Sequence, residues 1–168
     1  DWDSAAAQAA AAGCNSVAVT VKDASGQVYF DSAQPAASGA IRTESTTAAA
    51  LAAMTASDTY TIARLSCLLD PIAAKADVEG MGLKNTGGYI FYDGNNLNWL
   101  DPSKPAARQY LCGLAKELAE MGFDEILLTD VSYPTEGKLD KIAYGETGKV
   151  QNLNTFLDEM RAALAEYD

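Results

Sequence analysis

Three carboxylates that follow apolar runs, Asp23, Asp130 and Glu136, are the residues of this chain best placed to do chemistry. Two such groups are the minimum for cleaving a glycosidic bond: one protonates the leaving oxygen, the other is base or nucleophile. The sequence contains no histidine. That removes Ser-His-Asp and Cys-His catalysis and most zinc sites, so proton transfer near neutral pH falls to carboxylates, Lys, Tyr or Cys. Each of the three carboxylates reads equally well as a solvated loop charge. A fourth, Asp70, stands before Pro71 and reads as a helix N-cap with proline at the first helical position. Cys14, Cys67 and Cys112 are odd in number, lack a CxxC spacing and read as buried free thiols. Gly87-Gly88 carries no phosphate-loop spacing, and neither a metal nor an organic cofactor is expected.

With 12 Lys and Arg against 23 Asp and Glu, the net charge is −11. A surface of that sign repels phosphate backbones and anionic membranes, so nucleic acid is excluded as a partner while neutral sugars remain open. No apolar run is long enough for membrane insertion. The chain opens on Asp1-Trp2-Asp3, which reads as a trimmed N-terminus with any signal region outside it.

These groups need elements to hold them. Ala5–Ala12 reads as a helix stopped by Gly13. In Ser16–Lys22, Val17, Val19 and Val21 share one face, and Ala18, Thr20 and Lys22 the other. Gln27–Phe30 reads as a short strand after a turn. A helix follows at Thr46–Met54, a second core strand at Thr59–Cys67, and a short helix from Pro71 to about Lys75. The Gly-punctuated excursion 76–104 carries Tyr89, Phe91, Tyr92 and Trp99, either as sugar-stacking rings or as a small satellite core. Then come a helix at Ala106–Met121, a third strand at Glu125–Asp130 and a helix at Asn152–Tyr167.

Alternating helices and strands predict an α/β fold with parallel core strands and helical crossovers. In such folds ligands sit where strands end, which selects the loops after Lys22, Cys67 and Asp130. On the second strand Ile62, Arg64 and Ser66 share a face, so a guanidinium is expected in the sheet interior, paired or binding substrate. Strand alternation turns Leu128 and Asp130 away from the face of Thr129.

Four blocks in this order resemble one family. They are Asn15-Ser-Val-Ala-Val-Thr-Val-Lys-Asp23 with Gly26, Tyr60-Thr-Ile-Ala-Arg64 with Asp70-Pro71, Trp99-Leu-Asp-Pro102, and Gly122-Phe-Asp-Glu-Ile126 with Val131 and Tyr133-Pro134. The sequence is similar to a family of glycoside hydrolase-like domains of unassigned function, related to sugar-cleaving TIM barrels. The resemblance implies a bacterial carbohydrate-active domain, extracellular or in the cell envelope. It also implies a (β/α) TIM-barrel-like fold, with Lys22, Arg64, Trp99 and Tyr133 as substrate-binding residues. The alternative is a non-catalytic carbohydrate-binding or structural module, because two Asp positions of the family pattern are Thr20 and Thr129 here.

A complete (β/α) barrel takes about 250 residues. The 168 residues are therefore expected to form a single partial or truncated barrel, or a fragment of a larger one. Its open edges call for a homo-oligomer, for the remainder of a larger chain, or for antiparallel edge strands at Gln27–Phe30 and Tyr89–Tyr92.

Overall fold

The computed structural model describes residues 2–167. Helix α1 (Trp2–Ala11) leads into β1 (Ser16–Lys22), α2 (Ser45–Thr55) into β2 (Tyr60–Ser66), and the short α3 (Pro71–Ala76) opens the long excursion. Helix α4 (Pro105–Glu120) precedes β3 (Glu125–Thr129), and α5 (Lys149–Ala163) follows it. The three strands form one parallel sheet in the order β1-β2-β3. Each crossover advances one strand in the same direction, as successive units of a (β/α) barrel do, and the three-stranded layer stays open.

Period-two alternation decides which side of the sheet is covered. On β2, Ala63 and Leu65 are fully buried beneath the helices, whereas Tyr60 and Arg64 on the other face are exposed. Ala18 and Thr20 of β1 and Leu127 of β3 share that open face. Helix α4 shuts the covered side with a stripe of Leu111, Leu114, Ala115 and Leu118, none of them accessible. Helix α5 adds Phe156 and Met160 to the same core, and the Arg108–Glu159 ion pair at 2.9 Å ties the two helices.

Local chemistry explains the boundaries. Gly122 ends the turn after α4 in a left-handed conformation, φ 94°. Asp124 then accepts from the Thr61 amide at 2.7 Å and its hydroxyl at 2.8 Å, clamping the amino ends of β2 and β3 in register. The Asp70 side chain accepts from the Ala73 amide at 2.9 Å, so Asp70-Pro71 starts a helix as its sequence requires.

Two expectations are corrected. Residues 27–30 and 89–92 do not extend the sheet; they make isolated bridges, Val28 to Lys22 and Ile41, and Ile90 to Lys84. Nor are all three thiols buried. Cys67 and Cys112 are interior, and burial raises them to about 12 and about 11, but Cys14 is exposed.

At the carboxyl end of the sheet the register of β1 on β2 slips between Thr20 and Lys22. A bulge of this kind re-aims the next side chain. Lys22 crosses the end of β2, where its Nζ donates to the Ser66 carbonyl at 2.7 Å and pairs with Asp70 Oδ2 at 3.1 Å, both side chains wholly inaccessible. Breaking such a pair strands a charge in the interior at a cost of about 3–5 kcal/mol. Lys22→Met should therefore lower stability by that order in urea denaturation. Lys22→Met combined with Asp70→Asn, which keeps the cap oxygen, should recover part of the loss.

Candidate functional site

The cleft at the strand ends is small, about 160 Å³, and is lined by Thr20, Lys22, Asp23, Arg64, Ser66, Thr129 and Asp130, with Ala24 at its rim. Register builds it in two rows. Thr20 stands beside Arg64, and Ser66 beside Thr129, all at the carboxyl ends of neighbouring strands. Lys22 forms part of the floor, held there by Asp70. Gly26 is needed to close this corner. It takes φ 85°, and a Cβ on it would fall 2.4 Å from Asp70 Oδ1.

Asp130 departs from strand alternation. It adopts a left-handed conformation, φ 54°, which Asp tolerates better than most residues because its short polar side chain bonds locally. The rotation brings its carboxylate back over the strand end, where Oδ2 accepts from the Ser66 hydroxyl at 2.7 Å and the Thr129 hydroxyl at 3.1 Å. Its own carbonyl still accepts from the Leu68 amide at 3.2 Å, so the ladder between the chains following β2 and β3 continues. The expectation that Asp130 points to the opposite face is thereby corrected. One backbone torsion returns to the cleft a carboxylate that sits a residue out of place in the sequence.

Asp23 is built differently. Its Oδ1 accepts from the Ser25 amide (2.9 Å), the Ser25 hydroxyl (2.7 Å) and the Gln27 amide (3.1 Å), and its Oδ2 from the Tyr29 hydroxyl (2.7 Å). Burial works to raise its pKa, but these bonds outweigh burial and hold the carboxyl below the ordinary 3.8. The Tyr29 phenol is raised in turn, chiefly by the same bond.

Arg64 is exposed on the open face and has no hydrogen bond or ion pair among the described residues. This corrects the expectation of a paired interior guanidinium. The side of the sheet it occupies is the uncovered one, so its charge stays in water. The remaining sequence candidates lie elsewhere. Glu136 is exposed and its Oε2 accepts from the Asn95 amide group at 3.1 Å, beside Gly94 and outside the cleft lining. Trp99 is buried, its Nε1 donating to Asp93 at 2.8 Å. Tyr133 is buried edge-on against Tyr144, and its hydroxyl accepts from Asn152 at 2.8 Å. Neither ring lines the cleft.

Sequence reasoning missed Ser66 as a partner of Asp130 and Asp70 as the partner of Lys22. The signal for the second was a lysine ending an alternating strand with an Asp-Pro cap after the next one. Among the described residues no group of carboxylates or thiols has the geometry to hold a metal ion, and no helix is long and apolar enough to cross a membrane.

Residues 3–168 match a family described as "Putative glycosyl hydrolase domain". No curated protein matches the sequence. Among solved structures, a hypothetical protein from Ruminiclostridium thermocellum ATCC 27405 superposes with a TM-score of 0.82 at 28% identity, over 96% of this chain and 84% of that one. The glycoside hydrolase domain of PelA from Pseudomonas aeruginosa, in a variant form, gives a TM-score of 0.48 at 16% identity, over 91% of this chain and 58% of that one.

A carboxyl whose pKa is depressed by folding stabilises the native state above its unfolded value and loses that contribution as pH falls through the folded one. Asp23 should therefore supply stability that is present above pH 3.8 and lost below it. Asp23→Asn should lower the melting temperature on the neutral plateau and flatten the acid limb of the profile, so that variant and wild type converge as pH falls below that window.

Proposed function

Because this chain belongs to the glycosyl hydrolase-like family matched across residues 3–168, we propose that its strand-end cleft binds carbohydrate and that Asp130 and Asp23 are the two carboxyl groups of a glycosidase pair. The observation that carries this reading is the left-handed Asp130, whose carboxylate shares one cleft with Asp23, Arg64 and the Thr20 and Thr129 hydroxyls.

Asp23, held ionised by four donors, is the base or nucleophile of the pair. Asp130 is the acid. Its carboxyl stands over the strand ends, where it can reach the leaving oxygen of a sugar seated in the cleft. The unpaired Arg64 guanidinium and the two threonine hydroxyls offer hydrogen bonds to sugar oxygens and fix the ring against the carboxyls. Such a role places the domain outside the cell or in its envelope, where polysaccharide is met. The uncovered strand face on which Arg64 stands leaves room for further chain or a second copy to complete the cleft wall.

A second reading is favoured by Thr20 and Thr129, which occupy positions where the family pattern carries Asp. In that reading the same cleft holds a sugar without cleaving it. Turnover of a panel of p-nitrophenyl glycosides and polysaccharides separates the two. The enzyme reading expects measurable hydrolysis that falls by about 10²–10⁴ in Asp130→Asn, at unchanged melting temperature because Asn also accepts a left-handed backbone. The binding reading expects no hydrolysis, but calorimetric binding that weakens in Arg64→Gln. Wild-type protein that neither cleaves nor binds any glycan of the panel overturns both.

A further inference from the structure

The excursion between β2 and α4 divides its aromatic residues into two sets. Phe91 and Trp99 are interior, whereas Tyr89 is 75% and Tyr92 46% exposed. The two exposed rings line a groove of about 710 Å³ between the 85–93 segment and residues 137–141. Nothing in the core accounts for their position, because the packing of this excursion is supplied by Phe91, Leu83, Leu100 and Trp99.

The groove is also rigidly built. Asn85 Oδ1 accepts from the Gly87 amide at 2.9 Å and the Tyr89 amide at 3.2 Å, and the Asn85 amide donates to the Tyr89 carbonyl at 2.7 Å. Gly88 supplies the left-handed corner at φ 84°. The opposite wall is stapled on by the Thr86 amide to the Lys141 carbonyl at 2.8 Å and by the Ala143 amide to the Lys84 carbonyl at 2.9 Å. Tyr89 is thus held out in water on a fixed turn, and Tyr92, three residues on, is partly exposed with the Lys75 ammonium 5.9 Å from its ring centroid. Beside them, Asn85 Nδ2, the Thr86 hydroxyl and Lys138 Nζ have no partner among the described residues.

Exposed, pre-positioned aromatic faces ringed by free hydrogen-bond donors suit a ligand with apolar C–H faces and many oxygen acceptors. We propose that this groove is a second carbohydrate-binding surface, separate from the strand-end cleft, which takes a stretch of polysaccharide chain across Tyr89 and Tyr92. The proposal rests on the carbohydrate reading of the cleft and extends it from one sugar ring to a polymer. One loop joins the two places: it leaves the cleft at Asp130 and enters the groove at Gly137. Seven residue steps span at most roughly 25 Å, so one glycan strand can occupy both, and the groove raises its effective concentration at the cleft.

The test compares retention of the purified chain on insoluble cellulose, chitin, xylan and peptidoglycan with calorimetric binding of short soluble oligosaccharides of the same sugars. Tyr89→Ala with Tyr92→Ala should lower retention by roughly tenfold or more, the loss expected of a truncated aromatic anchor, while short-oligosaccharide binding and melting temperature stay level. Arg64→Gln should do the reverse. Retention of the double tyrosine variant at wild-type strength overturns the groove and spares the cleft. Short-oligosaccharide binding by wild type with no retention on any polymer does the same. Absence of every glycan interaction in wild type overturns both. Retention that depends on added protein rather than polysaccharide identifies a protein-docking surface and overturns the proposal.

Discussion

The buried pair of Lys22 and Asp70 is the constraint on which the carboxyl end of this sheet depends. An ammonium and a carboxylate removed wholly from water are tolerable only together, so β1 and the start of α3 are locked to each other across the end of β2. The Lys22 hydrogen bond to the Ser66 carbonyl sets the height at which β2 terminates. Gly26 closes over the same carboxylate with no room for a side chain. Burial, and then the charge of Asp70, push the Tyr110 phenol up, which places α4 against the pair as well. Three separate segments therefore meet at one charge pair, and the cleft lies directly above it.

That arrangement separates support from chemistry in a residue set that looks uniform in sequence. Lys22 and Asp70 are spent on each other. Asp23 does both: it organises Ser25, Gln27 and Tyr29 in its own turn and still lines the cleft. Asp130 and Arg64 join Asp23 at the open side of the strand ends, one on hydroxyl donors and the other in solvent. The polarity of the cleft is thus a residue of what the fold has not already used.

Much of the fold was legible because it rests on local rules. The alternation of Val17, Val19 and Val21, the Asp70-Pro71 helix start and the apolar stripe of α4 each encode their own structure. What was not legible depends on single torsions or distant neighbours. The register slip after Thr20 and the left-handed Asp130 each overturn an alternation rule at one residue, and no periodicity carries such information. Arg64 was expected inside because a strand face was assumed to be covered, and coverage is a property of the whole layer. The aromatic residues of the excursion could not be sorted into core and surface by spacing, since Trp99 is buried through its bond to Asp93 and Tyr89 is held out by Asn85. The site was therefore half visible: its residues were named, but the direction in which Asp130 points was reversed.

The separation of β2 from β3 in the chain has a consequence for synthesis. These neighbours are joined by residues 67–124, so β2 leaves the ribosome well before its partner exists. At 5–20 residues per second that interval is roughly 3–12 s, far longer than the microseconds in which a strand edge can collapse onto whatever is near. Throughout it, β2 presents a free edge that only β3, clamped by Asp124 onto Thr61, will later occupy. The nascent sheet is thus most exposed to mispairing while residues 67–124 are being made, and a chaperone that holds the β2 edge in that window guards it at its weakest moment.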